Sequence, residues 1–195
     1  MAFRPWRALA IFCFFFVVGL AGGTASAGPW SATLYGGPTT QRVFTQIVGD
    51  GQFNVSGGLV GLAVDRRLVR LGWGISVGAE GQITQDFGEH TFNTFALGLG
   101  LRFDEFPWSD SVPMSIGIYS GPSYATDPPA ELYVPNRRQI PFLNYFGLEV
   151  AVAIPHHERL WDAVMRIYHR SGAWGLYSIN ADEGSMIGVG LRARF

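Results

Sequence analysis

The sequence predicts an all-β protein, an eight-stranded antiparallel transmembrane β-barrel of the bacterial outer membrane, and three observations lead there. First, the 195 residues include 26 glycines and 14% aromatics but only 15% charged residues. Glycine inside a helix costs on the order of 1 kcal/mol relative to alanine, so strands must carry such a fold. Second, the chain divides into segments of alternating polarity separated by turn residues, the pattern of strands with lipid on one face and lumen on the other. Third, it ends Leu191-Arg192-Ala193-Arg194-Phe195, an alternating strand closed by Phe.

The first 27 residues read as a cleaved signal peptide. Arg4 and Arg7 precede the apolar run 8–20, and Ala25-Ser26-Ala27 offers a cleavage point before Gly28. The run is shorter than the roughly 20 residues of a spanning helix, which argues against an anchor. Cys13, the single cysteine, lies within it, so the mature domain 28–195 has neither a disulfide nor a thiol nucleophile. Losing Arg4 and Arg7 lowers the arginine count from 14 to 12 against 15 acids, with no lysine, for a net charge of about −3. A mildly acidic chain without a basic cluster excludes nucleic acid as a partner.

The strands follow in order. Segment 30–37 starts on Trp30 and runs into the long Pro- and Gly-containing loop 38–56. Segment 57–65 comes next, and a short link at 66–70 leads into 71–85, near whose start stands Trp73. Segment 91–103 ends at the link 104–111, which holds Trp108, and 112–124 ends at the long loop 125–141. Segment 142–154 is joined by 155–161, closing on Trp161, to 162–171, and 183–195 completes the set. Eight is even, as a closed single-chain barrel requires, and an N-terminus in the periplasm puts the short links inside and the long loops outside. Trp30, Trp73, Trp108 and Trp161 then form an inner aromatic girdle. Eight strands leave an interior filled by side chains, which disfavours a diffusion pore.

Parity assigns faces, because residues two apart on a strand point the same way. On the seventh strand Arg166 and Arg170 belong in the lumen, which turns Ala163, Met165, Ile167, His169 and Ser171 outward. On the eighth, Ser185, Ile187, Val189, Leu191, Ala193 and Phe195 form the apolar face, Glu183 shares their parity, and Arg192 and Arg194 are luminal. His169, Ser171 and Glu183 therefore converge on the outer wall near the outer leaflet. Imidazole, hydroxyl and carboxylate are the parts of a serine-hydrolase triad. Unpaired polar groups on a lipid-facing surface are costly, which gives such a cluster a functional meaning. The competing interpretation is a set of solvated residues just above the hydrocarbon.

His169-Arg170-Ser171 at the end of the penultimate strand, with Glu183 twelve positions beyond the serine, resembles the lipid A 3-O-deacylases of the PagL type. The segment from His169 to Leu176 and the ending Gly-Val-Gly-Leu-Arg-Ala-Arg-Phe195 are similar to bacterial acyloxyacyl hydrolases grouped with them. The resemblance implies hydrolysis of the 3-hydroxyacyl ester at position 3 of lipid A, with Ser171 as nucleophile, His169 as general base and Glu183 orienting His169. It implies no metal or organic cofactor. Its partners would be lipopolysaccharide and the surrounding outer-membrane lipids, with acyl chains along Met165, Ile167, Ile187 and Val189. The terminal Phe195 resembles the signature of chains inserted by the barrel-assembly machinery. The family pattern has Asn directly after the serine, assigned to oxyanion stabilisation. Gly172 stands there instead, so its backbone N–H is the candidate donor. A small gap between 172 and 182 would make Asp182 the acid, although its parity is luminal.

Other groups fit less chemistry. His156-His157-Glu158 lie in a predicted periplasmic turn, where adjacent histidines face opposite ways, a poor metal site. Arg137 and Arg138, in the loop before the sixth strand, are candidates for lipid A phosphates or simply solvated. Gly98-Leu99-Gly100 and Gly188-Val189-Gly190 precede no helix and read as small luminal residues, not nucleotide loops. A non-catalytic small barrel with a structural or surface-binding role is the alternative function, and an acyltransferase a third.

Overall fold

Alternating strands in a lipid environment have one stable outcome, a sheet closed on itself, because every backbone N–H and C=O must find a partner. The computed structural model describes residues 28–40, 49, 54–88, 91–128, 139–155, 160–177 and 182–195, the side chains of Asp182 and Glu183 excepted. Eight strands pair antiparallel in chain order: β1 (Trp30–Thr40), β2 (Gly57–Gly72), β3 (Ile75–Gly88), β4 (Phe92–Phe103), β5 (Met114–Ala125), β6 (Phe142–Ala153), β7 (Trp161–Ser171) and β8 (Asp182–Arg194). Pairing of β8 with β1, from Ser31 opposite Arg194 to Thr40 opposite Ser185, closes the barrel and removes its edges. The predicted signal peptide, the pair Arg137 and Arg138, and the His156-His157-Glu158 turn lie outside the described residues.

Polarity is inverted relative to a soluble protein. On β4 the outward Leu97 and Leu99 are each 66% exposed while Thr94 and Ala96, on the opposite face of the strand, are buried; on β7 Met165 is exposed and Arg166 wholly enclosed. Only a protein whose solvent is hydrocarbon gains from that arrangement, and the barrel is an integral protein of the bacterial outer membrane.

The lumen is packed, not open. Glu149 accepts hydrogen bonds from Arg102 Nη1 (3.0 Å), Arg166 Nη1 (3.2 Å) and Arg192 Nη1 (2.5 Å). Arg166 also pairs with Glu80, and Arg192 Nε donates to Asp162 Oδ2 at 2.7 Å. Tyrosines complete the filling: Tyr145 donates to Glu80 (2.8 Å), Tyr119 to Asp65 (2.9 Å) and Tyr35 to Gln82 (2.5 Å). Their rings need glycine opposite them. A Cβ on Gly61 would come 2.5 Å from Tyr35 Cζ, and one on Gly100 would overlap the Tyr119 ring.

The predicted link at 66–70 is in fact strand. β2 continues to Gly72, with Arg67 opposite Gly78 and Arg70 opposite Ser76, and the chain reverses at Trp73-Gly74. Both turn residues have positive φ, 50° and 69°, as a type I′ hairpin turn demands. Arg70, far from ending the strand, anchors its tip to Asp104 (2.9 Å) and Glu105 (3.4 Å) in the next turn. This end holds the start of β1 and the end of β8, and a cavity of about 350 Å³ opens there among Asp65, Arg102, Asp104, Asp162 and Arg192.

Candidate functional site on the outer wall of β7

β7 carries His169 and Ser171 on its outward side, between the luminal Tyr168 and Arg170 and the end of the strand. Arg170 fixes that parity: it is 1% exposed, donating from Nε to Ser123 Oγ (2.9 Å) and from Nη2 to Pro141 O (2.8 Å) across the lumen. Residues two apart on a strand are separated by about 6.6 Å, so His169 and Ser171 are neighbours on one face.

His169 is buried although it faces outward, lying in register between Phe146 of β6 and Ser185 of β8. Its Nδ1 is 2.9 Å from Gly184 O and 3.0 Å from Ser185 Oγ. A carbonyl oxygen only accepts, so Nδ1 carries the ring proton of the neutral imidazole and Nε2 carries the lone pair. That is the tautomer of a general base acting through Nε2. The hydrogen bonds described for His169 all run from Nδ1 to β8, and none of them reaches Ser171.

The acid is where the structure departs from simple alternation. Gly184 pairs with Arg170, but Ser171 pairs with Asp182, so a β-bulge leaves Glu183 as the extra residue beside Gly184 at φ 94°. Asp182, luminal by parity, therefore occupies the register position opposite Ser171. The side chains of Asp182 and Glu183 lie outside the described residues. Among those described, Gly184 O and Ser185 Oγ orient the imidazole.

Three outward polar residues were given no role by the sequence reading, although it did place Ser185 on the outward face. Asn144 stands directly opposite Ser171 on β6, Ser120 Oγ of β5 donates to Asn144 Oδ1 at 3.2 Å, and Ser185 holds His169. Each is the polar exception in an apolar, lipid-facing set, and that parity is the signal that would have found them. Beyond Ser171 the chain makes a left-handed turn: Ala173, Trp174 and Gly175 have φ of 48°, 53° and 95°, and Gly175 N and Tyr177 N donate to Gly172 O at 3.2 and 3.0 Å. Non-glycine residues in that region cost on the order of 1–3 kcal/mol each. The turn leans toward β6, with the Tyr177 and Phe142 rings 5.4 Å apart, and leaves Trp174 and Leu176 almost wholly exposed. Met165 and Val189, exposed, and Ile167 and Ile187, half-buried, continue the apolar wall below it.

No protein-family model and no curated protein sequence matches the chain. Among solved structures it is similar to the outer membrane enzyme PagL, at 11% identity over 85% of this chain and 99% of that one, with a TM-score of 0.57. Neisserial surface protein A (10% identity, 88% and 100% covered, TM-score 0.49) and the Yersinia pestis outer membrane protein Ail (12%, 85% and 99%, 0.45) are also similar. At these identities the likeness to PagL is one of fold.

Proposed function

We propose that the protein is a lipid A 3-O-deacylase, a serine esterase that hydrolyses the 3-hydroxyacyl ester at position 3 of lipid A in the outer leaflet. One observation carries this reading: an imidazole with its proton on Nδ1 shares the outward face of β7 with a serine, within a wall that is otherwise mostly apolar. The motif resemblance around His169, Ser171 and Glu183 and the shared fold with PagL support it.

In this mechanism Nε2 of His169 takes the Ser171 proton as Oγ attacks the ester carbonyl, then returns it to the departing sugar oxygen; water releases the acyl group. Glu183 stabilises the imidazolium. The contact between His169 and Ser171 tightens when the ester binds, as catalytic hydrogen bonds of unliganded sites commonly do. Substrate arrives laterally, its chains along Met165, Ile167, Ile187 and Val189, with Trp174 and Leu176 seated in the leaflet above. Arg137 and Arg138 supply charge for the phosphates. Cleavage before Gly28 and insertion by the barrel-assembly machinery through the strand ending at Phe195 complete the picture.

The test is mass spectrometry of lipid A from cells expressing the wild type or Ser171→Ala at equal folded levels. Loss of one 3-hydroxyacyl chain with the wild type alone is expected. Unchanged lipid A with both, across several lipid A types, would favour a non-catalytic barrel with a surface-binding role.

A further inference from the structure

Ester hydrolysis by Ser171 needs a hydrogen-bond donor for the carbonyl oxygen as it becomes an oxyanion. The backbone N–H of Gly172 is the candidate the sequence offers. A side-chain donor stands on the neighbouring strand as well. Asn144 is directly opposite Ser171 in the β6–β7 ladder, and cross-strand partners hold their Cβ atoms about 4.5–5.5 Å apart on the same face.

The hydrogen bonds of Asn144 fix which way its amide is turned. One terminal atom lies 3.0 Å from Tyr145 O, a carbonyl that only accepts, so that atom is Nδ2. The other, Oδ1, receives the Ser120 hydroxyl at 3.2 Å. Nδ2 has two hydrogens, and Tyr145 O uses one. The second is a donor on a preoriented, half-buried amide beside the serine.

We infer that Asn144 is the oxyanion-stabilising residue of this site, with Ser120 as its positioning residue, an assignment that rests on the esterase reading of Ser171 and His169. As Ser171 Oγ bonds to the carbonyl carbon and its proton passes to His169 Nε2, the carbonyl π electrons move onto oxygen, which accepts from Asn144 Nδ2. Collapse returns that pair to the carbonyl, breaks the bond to the sugar oxygen, and sends the His169 proton to the leaving group. The acyl-Ser171 ester then repeats the cycle with water. Because Nδ2 donates to the developing charge more strongly than to the resting ester, its removal lowers kcat far more than it raises KM.

The experiment measures kcat and KM for 3-hydroxyacyl release from purified lipid A by the full-length barrel, comparing wild type, Asn144→Ala, Asn144→Asp, Ser120→Ala and Ser171→Ala. Folding is matched by the mobility of unheated samples on gels. Loss of one oxyanion donor costs about 10²–10³ in kcat, so Asn144→Ala is expected to fall by that factor with KM within about threefold. Asn144→Asp, the same shape without a donor, should be no better, which separates donation from packing. Ser120→Ala should lose several-fold in kcat. An active wild type with Asn144→Ala or Asn144→Asp above one third of its kcat overturns the Asn144 assignment and leaves the esterase reading intact. A wild type that releases no acyl chain overturns both.

Discussion

Ser185→Ala distinguishes the two serines that flank His169. The ring proton on Nδ1 is shared between Gly184 O at 2.9 Å and Ser185 Oγ at 3.0 Å. Ser185 is then an acceptor that helps to orient the ring, whereas a nucleophile would have to donate to the base. Deleting its hydroxyl leaves the backbone carbonyl in place, so the tautomer persists and one of the two described partners of Nδ1 is lost. A net hydrogen bond contributes about 1 kcal/mol, and tenfold corresponds to 1.4 kcal/mol, so kcat should fall by about fivefold. Ser171→Ala removes the attacking oxygen, and its rate should fall to background. The assay is the time course of 3-hydroxyacyl release from lipid A, read by mass spectrometry with equal amounts of folded barrel. A hundredfold loss in Ser185→Ala, with Ser171→Ala still active, would refute the reasoning and make Ser185 the nucleophile and Nδ1 the base.

The lumen offers two further tests. Glu149→Gln removes the carboxylate that three guanidiniums share in an interior where Glu149 is 1% exposed. Breaking a buried pair costs about 3–5 kcal/mol, so the urea midpoint of the refolded barrel should drop accordingly, and a loss under about 1 kcal/mol would count against the network. Gly147→Ala sets a methyl against the Tyr145 hydroxyl and 3.3 Å from Arg166 Nη2, for an overpacking cost of about 1–3 kcal/mol. Gly81→Ala, outward with Leu97 Cδ2 at 3.5 Å as its nearest atom, should stay within about 0.5 kcal/mol of wild type in the same titration.

Periodicity made the strands legible because the side-chain period of two is a local property. It put Arg166, Arg170 and Arg192 inside, Met165 and Val189 outside, and His169 with Ser171 on one face. It failed where a second local signal competed. The arginines at 66, 67 and 70 look like a turn, yet they extend β2, and the reversal falls at Trp73-Gly74, where glycine accepts positive φ at little cost and Arg70 finds carboxylates in the next turn. It failed again at the bulge before Gly184, since one extra residue flips the parity of everything beyond it, Asp182 included.

The chain by itself determined that eight alternating segments would close into a barrel with arginines inside, because each strand must hide its backbone from lipid and its polar face from hydrocarbon. It also put an imidazole and a hydroxyl two residues apart at the C-terminal end of β7. Only the tertiary structure decided what stands beside them. Register between strands follows from turn lengths, bulges and barrel closure summed over the whole sheet, so Asn144 opposite Ser171 and Gly184 O against Nδ1 are consequences of pairing that no single segment encodes.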